Sequence, residues 1–255
     1  MCGIIGYSGE ENVVPVLLHG LDTLAYRGYD SSGIAVGTAA GVEIVKAEGK
    51  LDRLVAKLEG STLFGTVGIG HTRWATHGAP SDKNSHPHGT GRLTLVHNGI
   101  IENYRALSES FVEQGYVFAS ETDTEAAAFC LDALYKECGD PVETLFRGAE
   151  ILKGSFAFGV LFHDRPGKLY AIRRDSPLIV AKTENGSFIA SDIPAILSYT
   201  RCYTRLPESV VAVLDGASVA FYSAPGQPME IPEERVDWDM EAAKKGGYPH
   251  FMLKE

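Results

Sequence analysis

Hydrophobic and polar positions sort this chain into two strand-rich blocks separated by a helical middle. The stretch "IIGYSG", from Ile4, reads as a short buried strand ending in a turn. Asn12 then stands where a helix cap belongs, with Pro15 in the first turn and Val14, Leu17, Leu18, Leu21, Leu24 and Ala25 along one face. Gly28 is expected to stop that helix. Strands follow at "GIAVG" and "VEIVKAEG", then a short helix at "KLDRLVAKLE", where Leu51, Leu54, Val55 and Leu58 recur at helical spacing. "VGIGHTR" and "LTLVHN" read as two further strands, and helices are predicted over 102–114, 124–137 and 142–152. The last third returns to strands at "SFAFGVLF", "KLYAIRR", "PLIVAK", "SFIAS", "VVAVL" and "SVAFYS", with a short helix at "IPAILSY".

Strands in runs joined by short turns pair antiparallel, whereas strict alternation with helices builds a parallel sheet. Helices grouped between two strand blocks therefore predict an α+β fold, a four-layer αββα sandwich of two antiparallel sheets. No internal repeat or low-complexity segment interrupts it. Residues 1–222 are expected to form this domain. Residues 223–255, with Pro225, Pro228, Pro232, Gly246 and Gly247 and little periodicity, resemble a linker or docking tail.

A length of 255 residues with 44% hydrophobic and 22% charged residues describes an ordinary globular chain that can bury a full core. A formal net charge of -10 and no basic cluster argue against a nucleic-acid or anionic-membrane partner. With no leader-like start and no run long enough to span a bilayer, the expected compartment is the cytoplasm. Cys2, Cys130, Cys138 and Cys202 form no C-x-x-C pair. On one helix, Cys130 and Cys138 would stand about 12 Å apart, too far to bridge. The last three read as buried fillers.

The first cysteine is different. If the initiator methionine is removed, Cys2 carries its own general base, because an α-amine titrates at about 7.7 to 8.0 and a thiol at about 8.5. The plainer reading is a small hydrophobe at a strand start. In "GIGHTRWATHG", Arg73 at a strand end can clasp a carboxylate bidentately or make a surface ion pair, and Trp74 can be core or lid. In "VHNGIIENY", Asn98-Gly99 spells a hairpin turn, yet it also offers an amide NH2 beside an open backbone N–H, the parts of an oxyanion hole. In "SETDTE", Thr122 or Asp123 can cap the following helix, and a carboxylate there can also hold an ammonium. His71, His77, His86, His88 and His97 are dense, but no H-E-x-x-H and no carboxylate at a ligand offset accompany them, so turn and hydrogen-bond roles are expected and no metal.

Taken together, Cys2 through Gly6, "YRGYDSSGIAV" from Tyr26, "HTRWATHG" from His71, "HPH" from His86, "HNGIIENY" from His97, "SETDTE" from Ser120 and "KGSFAFGV" from Lys153 resemble one family. It is the glutaminase domain of the glutamine-fructose-6-phosphate aminotransferases, class II amidotransferases among the N-terminal-nucleophile hydrolases. The resemblance covers nearly the whole chain and implies hydrolysis of L-glutamine to glutamate and ammonia through a thioester, without a cofactor. By position, it makes Cys2 the nucleophile and Asn98 and Gly99 the oxyanion hole. Arg73 and Asp123 would hold the α-carboxylate and α-ammonium, Thr76 and His77 would line the pocket, Trp74 would lie on a closing loop, and Arg27 would help orient the terminal residue. An amidophosphoribosyltransferase-like glutaminase and a non-catalytic amino-acid binder are the alternatives. The expected partner is a C-terminal sugar-phosphate isomerase region for which this chain has no room. Trp238, Met240, Tyr248, Phe251 and Met252 of the tail are expected to pack on it, and this chain alone is expected to release ammonia without forming glucosamine 6-phosphate.

Overall fold

A computed structural model describes residues 2–75 and 77–237. Among these described residues, fifteen strands run in chain order: β1 (Gly3–Gly9), β2 (Ser31–Thr38), β3 (Gly41–Glu48), β4 (Val67–Arg73), β5 (His88–Gly89), β6 (Leu93–Ile101), β7 (Gly154–Phe162) and β8 (Lys168–Arg174). They continue through β9 (Ile179–Lys182), β10 (Gly186–Ala190), β11 (Cys202–Arg205), β12 (Val211–Asp215), β13 (Ser218–Ala224), β14 (Gln227–Met229) and β15 (Glu234–Arg235). The helices are α1 (Val13–Thr23), α2 (Leu51–Leu58), α3 (Tyr104–Glu113), α4 (Asp123–Cys138) and α5 (Pro141–Ile151), with one 3-10 turn at Ile193–Ala195.

The strands form an 8-stranded sheet ordered β15-β11-β9-β10-β1-β4-β2-β3 and a 7-stranded sheet ordered β14-β13-β12-β8-β7-β6-β5. The pairings are antiparallel throughout, as the grouping of elements predicted. Three apolar clusters mark the layers. Ile5, Tyr7 and Phe188 of the first sheet cluster with Leu17 and Leu21 of α1, and Leu95, Phe156 and Phe158 of the second cluster with Leu131 of α4 and Leu145 of α5. Ile4, Ile69, Val96, Leu169 and Ile189 fill the space between the sheets. This is the αββα sandwich.

Local chemistry explains the helix starts. Asn12 Oδ1 accepts from Val14 N at 3.3 Å, and Asp140 Oδ1 accepts from Glu143 N at 2.7 Å ahead of Pro141. Three expectations need correction. Helix α1 ends at Thr23 rather than at Gly28, because the chain tightens into turns from Leu24 onward. The helix at "IPAILSY" is one 3-10 turn, and β5, β11, β14 and β15 escaped notice because they are short and mixed in polarity. Only Cys130 of the filler cysteines is buried; Cys138 and Cys202 are partly exposed. Sheet pairing continues past 222 through the end of β13, β14 and β15. The tail residues Trp238, Met240, Tyr248, Phe251 and Met252 lie outside the described residues. No helix among those described is long and apolar enough to cross a membrane.

Candidate active site

The site assembles at one end of the sandwich, where the start of β1, the end of β4 and the end of β6 meet. Cys2 immediately precedes β1, and Gly3 pairs with Thr72 on β4. The Cys2 Sγ accepts a hydrogen bond from Trp74 N at 3.2 Å and lies 3.5 Å from Trp74 O. Burial pushes the thiol pKa up, opposed by the Trp74 amide and by the positive charges of Arg73 and Arg27. The Cys2 carbonyl takes two donors, Asn98 Nδ2 at 3.1 Å and Arg27 Nε at 3.0 Å.

Asn98 and Gly99 make no hairpin turn. They lie inside β6, paired with Ala157 and Phe156 of β7. Gly99 has φ +132°, and a Cβ there would meet the Ser155 carbonyl oxygen at 2.1 Å, so only glycine fits. The Asn98 amide is held at both ends, since its Oδ1 lies 3.1 Å from His71 Nε2. That same nitrogen is 3.0 Å from the His97 carbonyl. With two acceptors before it, Nε2 must carry the hydrogen, and His71 is the neutral Nε2–H tautomer. Burial pushes its pKa down to about 3.

Behind Asn98 lies a buried stack of imidazoles. His71 and His86 rings are 4.1 Å apart and nearly parallel, and His88 meets His86 edge-on at 5.0 Å. His86 Nδ1 accepts from His97 N at 3.3 Å, so its Nε2–H donates to Thr124 Oγ1 at 3.2 Å. Thr124 Oγ1 also lies 2.9 Å from His97 Nδ1, and His88 Nε2 lies 3.1 Å from Thr122 Oγ1. Desolvation lowers the pKa of His86, His88 and His97 too. These histidines are neutral scaffold groups, and sequence reading reached only their hydrogen-bonding character.

Arg73 ends β4 almost fully buried. Its Nη2 donates to the carbonyls of His77 and Gly78, while Nη1 is buried with no partner among the described residues. Asp123 is equally buried as the first residue of α4. The capping falls to Thr122, whose side chain accepts from Glu125 N at 3.3 Å, while Glu125 in turn accepts from Ala119 N and Ser120 N. That leaves Asp123 Oδ2 to accept from Ile101 N at 2.8 Å. No Arg73–Asp123 ion pair occurs among the described residues, so opposite charges flank the site without neutralising each other directly.

The loop after β4 covers this end. Trp74 is 46% exposed, its ring edge-on to Tyr29 at 5.7 Å, which answers the core-or-lid question in favour of the surface. Asp30 Oδ2 accepts from Ala75 N at 2.8 Å and ties the loop down, a role the motif "YRGYDSS" did not announce. Gly28 lets the two segments touch: a Cβ there would lie 2.7 Å from the Arg73 carbonyl carbon and 2.9 Å from Trp74 N. The His77 ring packs edge-on against Tyr104 at 5.1 Å. Thr76 lies outside the described residues.

A family model described as "Glutamine amidotransferase domain" matches residues 71–198. The chain is 49% identical, over its full length, to a protein of Caldanaerobacter subterraneus called glutamine–fructose-6-phosphate aminotransferase [isomerizing], of which it covers 42%. Proteins of the same description match over the whole chain at 48% identity in Thermus thermophilus and 46% in Methanosarcina acetivorans. The chain thus spans about two fifths of the length of these curated relatives, 42% of the Thermus protein. A solved glutamine phosphoribosylpyrophosphate amidotransferase from B. subtilis superposes with TM-score 0.71 at 22% identity, over 92% of this chain and 49% of that one. A class-II glutamine aminotransferase domain protein from Silicibacter pomeroyi superposes with TM-score 0.60 at 13% identity, over 88% and 99%. These two establish a shared fold, and the family model establishes kinship: the chain belongs to the glutamine amidotransferase domain family, and over its whole length it is similar to part of the glutamine–fructose-6-phosphate aminotransferases.

Proposed function

We propose that this chain hydrolyses L-glutamine to glutamate and ammonia, with Cys2 as nucleophile. In a longer enzyme it would supply ammonia to a sugar-phosphate isomerase region that makes glucosamine 6-phosphate from fructose 6-phosphate. One observation carries the reading: the residue bearing the thiol is held through its carbonyl by an amide donor that is oriented from both ends, and its thiol and the buried carboxylate of Asp123 both interact electrostatically with Arg73, a buried arginine with a spare N–H group.

The chemistry follows from these groups. With the methionine removed, the Cys2 α-amine takes the thiol proton, and the thiolate attacks the side-chain amide carbon of glutamine. The Trp74 amide that faces Sγ favours the thiolate. Asn98 spends one amide hydrogen on the Cys2 carbonyl and has a second for the oxyanion, with Gly99 N–H as the other donor. The α-ammonium returns its proton to the departing ammonia, and water hydrolyses the resulting γ-glutamyl thioester. Arg73 Nη1 suits the substrate α-carboxylate and Asp123 its α-ammonium, with His77 and Trp74 on the covering loop. Incubating the chain with glutamine tests this: glutamate and ammonia should appear in equal amounts, and failure to turn over glutamine in protein shown by mass to start at Cys2 would reject it.

A further inference from the structure

Asp192 is linked to the backbone of the nucleophile through one intermediate side chain, Arg27. It follows β10, the antiparallel neighbour of β1 in which Ile5 faces Ala190. Just before it, Ser191 is laced to the start of β1 in both directions: Ile4 N donates to Ser191 Oγ at 3.0 Å, and Ser191 N donates to Ile4 O at 3.0 Å. The carboxylate oxygens of Asp192 divide their work. Oδ1 accepts from Ile193 N at 2.8 Å and caps the 3-10 turn. Oδ2 accepts from Arg27 Nη1 at 2.9 Å and from the Tyr26 hydroxyl at 2.5 Å. The Arg27 side chain is 7% exposed and that of Asp192 34%, so the ion pair stands with its cation buried.

A guanidinium is a rigid planar fork, so fixing Nη1 also fixes where Nε points. Here Nε donates to the Cys2 carbonyl at 3.0 Å. Only one other donor reaches that carbonyl among the described residues, Asn98 Nδ2, which the proposed reaction also needs for the oxyanion.

We infer that Asp192 is a positioning residue for glutamine cleavage: it holds Arg27, Arg27 holds the Cys2 carbonyl, and the carbonyl sets the rotation of the residue bearing both thiol and amine. The inference rests on the reaction proposed above. It goes beyond the motifs, none of which contains Asp192.

Asp192→Ser tests it, because serine caps a turn well yet is too short to reach Arg27. The substitution should lower kcat for glutamine at least about tenfold, as small misplacements of reacting groups do. KM should stay within about twofold, because Arg73 and Asp123 are untouched. In an Arg27→Ala background, Asp192→Ser should change nothing further, since its effect passes through Arg27. The alkylation rate of Cys2 by iodoacetamide, read in parallel, should show the same dependence on Arg27 and needs no glutamine turnover, so it judges Asp192 even where the glutaminase reading fails. Equal losses in both backgrounds, a loss confined to KM, or unchanged kcat and alkylation rate would overturn the inference. Should Asp192→Ser not fold, Tyr26→Phe removes one of the two donors from Oδ2. Its smaller fall in kcat must then also vanish in the Arg27→Ala background, and persistence there would overturn the inference too.

Discussion

The hydrogen on His71 Nε2 is shared between Asn98 Oδ1, at 3.1 Å, and the His97 carbonyl, at 3.0 Å, so a neutral, fully buried imidazole decides which end of the Asn98 amide faces Cys2. His71→Phe keeps an aromatic ring against His86 but removes that hydrogen, leaving Asn98 free to turn. Losing the partner of a buried polar group costs about 1 to 3 kcal/mol. We predict that kcat falls roughly ten- to hundredfold with KM little changed, whereas Asn98→Ala costs about 2.7 to 4 kcal/mol in kcat. Steady-state kinetics of both variants check this; an unaffected His71→Phe would remove the orienting role.

The imidazole stack makes a prediction about pH. His71 has its folded pKa lowered to about 3, and those of His86, His88 and His97 are lowered as well, against an unfolded value near 6.5. Between those limits the unfolded chain binds more protons than the folded one. Stability is therefore fully present above about pH 6.5 and is lost progressively as pH falls toward the folded values. Each histidine contributes up to about 1.4 kcal/mol per pH unit in that window. Urea melts at pH 7 and pH 5 should differ by about 2 kcal/mol or more, and replacing His86 by Phe should shrink the difference. Equal stability at the two pH values would contradict the neutral stack.

Processing of the terminus is decisive in the proposed mechanism. A retained Met1 moves the amine one residue away from Cys2 and places a side chain at the pocket. Protein shown by intact mass to keep Met1 should hydrolyse glutamine no faster than Cys2→Ala. Full activity in such a preparation would take the base role away from the α-amine.

Arg73 and Asp123 carry opposite charges into a largely desolvated site. Removing one member of such a set commonly costs about 2 to 5 kcal/mol. Arg73→Ala and Asp123→Ala should each raise KM for glutamine strongly. The first should discriminate less against analogues lacking the carboxylate, and the second less against those lacking the amine. Unchanged KM in both would place the substrate clamp elsewhere. Because Asp123 Oδ2 also accepts from Ile101 N, Asp123→Asn serves as the milder companion, able to keep that bond while losing the charge.

The layer order was legible because apolar periodicity changes from two to 3.6 and back again in blocks, and the long elements, such as α4 and β7, stand close to where the pattern puts them. The sequence pointed to a candidate site most sharply where one residue type has few uses, as with the cysteine directly after the initiator methionine. It was ambiguous where local and long-range preferences compete. Asn98-Gly99 spells a turn, yet nine residues of β6 pair continuously with β7, and that ladder outweighs the local preference. Asp192 left no usable signal and His71 only a general hydrogen-bonding one, because a lone aspartate after a strand and one histidine among several acquire their specific meaning only from neighbours far away in the chain. The edge strands β14 and β15, three and two residues long, are too short to show alternation.

The central claim is that Cys2 forms a covalent γ-glutamyl intermediate, and mass spectrometry of acid-quenched protein after brief mixing with glutamine tests it most directly. The account predicts a species heavier by one glutamyl group, mapped to the peptide beginning at Cys2, which vanishes as glutamine is exhausted and never appears in Cys2→Ala. An adduct on another residue, or undiminished glutamate production by Cys2→Ala, would contradict it.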